Sequence, residues 1–163
     1  MKNIILAVVV GLGISNANAE IITNSKGDRV ELKENGTWTL IPWSDEDFVN
    51  DGSKFTIQVP DGNKKNIDVE VSPDISLLDN GRRIKKKDFE FQVKMTSLSA
   101  QYKLKNPYSY VPKGVSVKQR GNNVSITIGS TGKNSYGADV PSYLTKEFYL
   151  EQNGRLKDTS MND

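Results

Sequence analysis

The sequence predicts an all-β protein: an immunoglobulin-like antiparallel β-sandwich with a β-hairpin appended at its N-terminus. Three observations predict it. Apolar residues recur at every second position in run after run from Phe55 onward, turn residues separate those runs at short intervals, and nothing beyond a single turn carries a helical period. The chain has no cysteine to supply an antibody-type disulfide, so only the architecture is expected.

Residues 1–19 read as a secretory signal peptide. Lys2 gives a positive start, Ile4 to Gly13 an apolar core, and Ala17-Asn18-Ala19 a small-residue cleavage site, so the exported chain would begin at Glu20. Extended to Ile14, the apolar stretch is still short of the roughly 20 residues that span a bilayer. The expectation is a periplasmic or secreted protein with no transmembrane segment after signal cleavage. Without cysteine there is no acylated lipoprotein anchor and no disulfide framework.

Residues 20–43 form the predicted hairpin. Val30-Glu31-Leu32 and Trp38-Thr39-Leu40 alternate on either side of Glu34-Asn35-Gly36. A three-residue loop pairs Leu32 with Trp38 and Val30 with Leu40, which keeps one apolar face, with Trp38 in its core. Gly36 then takes the left-handed position of a bulged turn. Residues 44–54, holding Asp45, Glu46, Asp47 and Asp51, read as an acidic connector or as one short helical turn with Ser44 as its N-cap.

Residues 55–158 are the predicted sandwich, followed by a tail at 159–163. Phe55, Ile57, Val59 and Ile67, Val69, Val71 flank the turn Pro60-Asp61-Gly62. Phe89, Phe91, Val93 and Met95 read as another strand, pairing with Ala100, Tyr102 and Leu104 across a turn near Thr96-Ser97. A two-residue loop at Gly121-Asn122 sets Val117 against Ile126 and Val115 against Ile128. Tyr136, Ala138 and Val140 precede Pro141, and Leu144 to Leu150 reads as a last long strand before Gln152-Asn153-Gly154.

Composition narrows the function. The chain is 36% hydrophobic and 26% charged, which suits one globular domain. Of its 22 basic residues Lys2 leaves with the signal, against 20 acidic ones, so the exported chain is nearly neutral and is not a bulk binder of nucleic acid. The absence of histidine removes the usual acid–base catalyst and the commonest metal ligand. No cofactor is implied.

The stretch Gly27-Asp28-Arg29-Val30-Glu31-Leu32-Lys33-Glu34-Asn35-Gly36-Thr37-Trp38 resembles a small family of exported Gram-negative proteins built on a domain of unknown function, which share this hairpin after a signal peptide. Lys133-Asn134-Ser135-Tyr136-Gly137-Ala138 is similar to a segment near the end of such proteins. The resemblance implies an envelope location and an all-β fold. It carries no activity and no functional residues.

Five cations crowd into Arg82-Arg83-Ile84-Lys85-Lys86-Lys87 after the turn Asp79-Asn80-Gly81. Arg82, Arg83, Lys85, Lys86 and Lys87 are candidate contacts for phosphate groups, anionic lipid or an acidic partner; the alternative is a solvated loop or a lysine-protected sheet edge. Trp38, Trp43, Tyr108, Tyr110, Tyr136 and Tyr143 are candidates for an aromatic platform on which sugar rings stack. Tyr108 and Tyr110, between Pro107 and Pro112, point the same way if that segment is extended.

Three other motifs carry less. Ser130-Thr131-Gly132-Lys133 fits Ser-x-x-Lys but follows a strand and lacks its companion motifs. The same loop has Thr127 where a phosphate-binding loop needs glycine. The acidic connector offers calcium-type oxygens, but Phe48 and Val49 interrupt the spacing. No catalytic residue and no metal ligand is nominated.

The reading is a noncatalytic module contacting another envelope component, whether protein, glycan or anionic lipid, through the basic segment and the Tyr108–Val111 loop. The alternatives are a carbohydrate-binding module, a glycan-acting enzyme with paired carboxylates, and a structural subunit joined by strand addition.

Overall fold

The computed structural model describes residues 20–24, 28–78 and 81–159. The expected signal peptide at 1–19, the first two residues of the expected turn at 79–81 and most of the expected tail at 159–163 lie outside them. The described chain is mostly strand, 49% against 18% helix, and divides into two compact units, one ending at Pro42 and the other running from Trp43.

The first unit is an antiparallel sheet of β1 (Glu20–Thr23), β2 (Arg29–Leu32) and β3 (Trp38–Ile41). Leu32 faces Trp38 and Val30 faces Leu40, as expected for a three-residue loop. The Lys33 N–H donates to Thr37 O at 2.8 Å, the Gly36 N–H donates to Lys33 O at 2.9 Å, and Gly36 has φ +76°. Trp38 corrects its core reading: it shares the apolar face with Leu32 but is 63% exposed, because its own unit is a single three-stranded layer among the described residues.

The second unit is a curled half-barrel of six strands: β4 (Phe55–Pro60), β5 (Asn66–Ser76), β6 (Val111–Arg120), β7 (Asn123–Lys133), β8 (Asp139–Leu150) and β9 (Leu156–Asp158), in that spatial order. The Gly121-Asn122 hairpin is present in the expected register, with Val117 opposite Ile126 and Val115 opposite Ile128, and the runs flanking Pro60 pair with Ile57 opposite Val69. The strand expected from Leu144 begins earlier, at Asp139, and is followed by the short β9.

The largest correction is a helix, α1 (Lys86–Tyr102), where a strand and its partner were expected from Phe89 to Leu104. Residues 86–102 contain no glycine or proline and many good helix formers. Two residues advance a helix by about 200°, so alternating apolar residues fall on opposite faces. Phe89 and Val93 are fully buried on the inner face, whereas Phe91 and Met95 are 57% and 45% exposed on the outer one. Two stripes offset in this way imitate the period of a strand. Past Tyr102, the Lys103 N–H closes the helix on Ala100 O and Gln101 O.

α1 also explains the topology. β5 and β6 are parallel, and parallel neighbours need a long crossover, which α1 supplies. The helix lies in the concavity of the sheet, touching β4 near one edge, β9 at the other, and β7 and β8 between. The expected immunoglobulin-like sandwich is thus corrected in its second layer, which is one helix and not a sheet. Ile57, Val69, Val71, Val117, Ile126, Ile128 and Phe148 pack beneath Phe89 and Val93. Full burial of a side chain such as Phe89 is worth about 1.5–3 kcal/mol.

Candidate functional site

The basic run is drawn into the fold by its one apolar member. Ile84 is fully buried, and the Val49 N–H donates to Ile84 O at 2.9 Å beside an antiparallel bridge between Phe48 and Lys85. Arg83 donates to Asp45 Oδ1 and to Asn50 Oδ1, both at 2.7 Å, and its guanidinium stacks 4.2 Å from the Phe48 ring centre. Lys85 sits 4.2 Å from the Trp43 ring centre and donates to Asn153 O at 3.2 Å. Lys86 lies over Phe55 at 5.3 Å. Arg82 is half-buried, and Lys87 alone of the five is exposed. The run serves as a strap holding the connector to the sheet unit.

The connector's oxygens are used locally as well. Asp47 Oδ2 accepts from the Ser44 N–H and hydroxyl at 2.9 and 3.0 Å, at the start of a 3-10 turn over Asp45–Asp47, the second of the two alternatives for this segment, and Asp51 Oδ1 accepts from the Ile75 N–H at 2.7 Å.

The aromatic pair separates. Pro107–Ser109 form a 3-10 turn, so the segment is not extended until Tyr110. Tyr108 is 73% exposed, but Tyr110 is 1% exposed and its hydroxyl meets Ser97 Oγ at 2.8 Å. Burial raises the Tyr110 phenol above its ordinary pKa, against a lowering by the Ser97 and Ser130 hydroxyls. Tyr110 is therefore corrected from binding surface to core. Ser130 is buried while Lys133 is exposed and donates to Asp139 Oδ1 at 3.3 Å, so the Ser-x-x-Lys pair is split across the sheet.

A different site lies on the convex face of the sheet, away from α1. In β6 and β7, Gly114 stands opposite Gly129, and Gly129 stands opposite Tyr143 of β8. Two glycines side by side leave a furrow where side chains would otherwise stand. A Cβ on Gly129 would come within 3.2 Å of Tyr143 Cε1, so the exposed tyrosine ring leans over the gap, while a Cβ on Gly114 would meet nothing within 4 Å. Ser116 and Thr127 form the next row, with Thr127 bonded to the Thr145 hydroxyl at 2.8 Å. Glu70, held by Lys54 at 2.8 Å, and Ser72 line the far side, with Lys113 at the rim. The open groove measures about 420 Å³.

Further along the same face, Arg120 grips Asp74 with bonds of 3.0 and 2.9 Å. That hydrogen bonding holds the Asp74 carboxyl below its ordinary pKa.

Tyr143 belonged to the sequence's aromatic candidates, but Glu70, Ser72, Gly114, Ser116, Thr127 and Gly129 did not stand out. A glycine inside each of two strands was the available signal. Only the register shows that the two coincide. Together these residues define a helix-backed, curled antiparallel and parallel mixed sheet with a shallow aromatic groove. No family model, curated protein or solved structure matches the chain.

Proposed function

We propose that the protein is an exported, noncatalytic binding module that takes a glycan chain along the furrow beside Tyr143. The observation that carries this reading is the Gly114–Gly129 gap roofed at one end by an exposed tyrosine ring. An aromatic face stacks on the apolar face of a sugar, and Ser72, Ser116, Thr127 and Glu70 offer donors and acceptors to its hydroxyls. Glu70 is the single carboxylate in the groove lining, and a glycosidase works with two, roughly 5–9.5 Å apart. That favours binding over hydrolysis. The envelope location rests on the signal sequence, and no described helix is long and apolar enough to cross a membrane.

Calorimetric titration with soluble N-acetylglucosamine oligomers and with lipopolysaccharide core oligosaccharide tests the reading. Saturable binding to one of them is expected. Tyr143→Ala should weaken it by about fivefold or more, the scale of an aromatic contact. Gly114→Leu, whose side chain enters open space, should leave the melting temperature near that of the parent while blocking the groove. Binding that survives both substitutions, or heat absent with every oligosaccharide, would rule the groove out.

A further inference from the structure

The outer face of α1 is the second surface that calls for a partner. Phe91, Met95, Leu98 and Tyr102 follow one another at spacings of four, three and four residues, so they form one stripe about 16 Å long. They are 57%, 45%, 41% and 72% exposed. The opposite face of the same helix is already filled by Phe89, Val93 and Ala100 against the sheet. A helix that is apolar on both faces has its second face covered in use.

Charge identifies the cover. The exposed charged side chains between Lys86 and Lys105 are Lys87, Lys94, Lys103 and Lys105. Lys87 and Lys94 fall on the border of the stripe. The nearby acid Asp88 is turned inward, where it accepts from the Leu156 N–H at 2.5 Å, and Glu90 is half-buried on the flank. A second copy of the chain docked about a twofold axis would bring this lysine border against its own duplicate. A surface of anionic headgroups over an apolar interior complements both parts: lysines reach the headgroups, Phe91, Met95 and Leu98 enter the acyl boundary, and Tyr102 sits at the interface with its hydroxyl in water.

We propose that α1 docks the protein onto an anionic bilayer surface, lying parallel to the membrane with the Phe91–Tyr102 stripe inserted. The groove on the convex face of the sheet points away from this stripe, so a glycan and a membrane can be held at once. The proposal does not depend on the glycan reading.

The chain has no cysteine, so a single introduced one reports locally. Full-length Leu98→Cys, labelled with an environment-sensitive fluorophore, is mixed with phosphatidylglycerol vesicles or with phosphatidylcholine vesicles. Ser125→Cys on the convex face serves as the control, so that insertion elsewhere in the chain is not mistaken for docking of α1. A blue shift is expected at position 98 with phosphatidylglycerol only, and none at position 125. Lys87→Glu combined with Lys94→Glu should weaken the partitioning by about tenfold or more. Phe91→Ser should weaken it without lowering the melting temperature, since that side chain is exposed. The proposal is overturned by an unshifted label at position 98, by equal shifts on both vesicles, or by a shift without vesicles that grows with protein concentration. The last result would assign the stripe to a second copy.

Discussion

The hydroxyls of Tyr110 and Ser97 meet at 2.8 Å in the interior of the protein, joining the entry of β6 to the middle of α1. Tyr110 is the largest of the fully buried side chains, and its phenol has a polar tip that burial would otherwise strand. The bond therefore ties the helix to the sheet at one defined height.

Removing both sides of that bond should cost less than the two single removals added together. Tyr110→Phe and Ser97→Ala are each expected to lower stability by about 1–2 kcal/mol, and the double variant by less than the sum. Urea unfolding of the four proteins measures the coupling, and strict additivity would show that the two hydroxyls do not depend on each other.

Arg83 is expected to act through its flat fork and not through charge alone. It bonds Asp45 and Asn50 with separate nitrogens and stacks on Phe48, a combination lysine cannot reproduce. Arg83→Ala should lower stability by about 1 kcal/mol, and Arg83→Lys should recover little of it. Because stacking is insensitive to screening, most of the loss should persist when the melts are repeated in high salt.

Asp88 gives stability a defined dependence on acid. Burial raises its carboxyl above the ordinary carboxylate pKa, while the Leu156 N–H and the nearby Arg155 and Lys85 pull the other way. A raised pKa means that the folded state holds the proton more tightly than the unfolded chain. The contribution is fully present below the unfolded pKa and is lost as pH rises through the folded one. Asp88→Asn keeps an oxygen for the Leu156 N–H without the buried charge. It should therefore melt at or above the parent at neutral pH, with the gap closing as the pH falls through the carboxylate range.

Thr96 is fully buried on the inner face of α1, and its hydroxyl has no hydrogen-bond partner among the described residues. Thr96→Val keeps the shape and removes the stranded polar atom, so stability should rise by about 1 kcal/mol. A melting temperature that falls instead would mean that the hydroxyl is satisfied in solution.

The sequence by itself determined what depends on neighbours along the chain. The three-residue loop ending at Gly36 and the Gly121-Asn122 hairpin form in the expected register, and the chain turns after Pro60, because a turn's backbone chemistry sets the pairing of the strands it joins. Tertiary structure decided what depends on which face is covered. Phe89, Phe91, Val93 and Met95 have the alternation of a strand, and the choice of helix rests on a concave sheet that buries Phe89 and Val93 together while leaving Phe91 and Met95 outside. Ile84 likewise turned a cationic run into an internal strap, because burying one isoleucine fixed where Arg83 and Lys85 could reach. Gly114 and Gly129 are 15 positions apart, and neither marks a site alone. They become a furrow only when β6 and β7 pair and β8 brings Tyr143 alongside, since a groove is made by side chains missing from adjacent strands and not by any one of them.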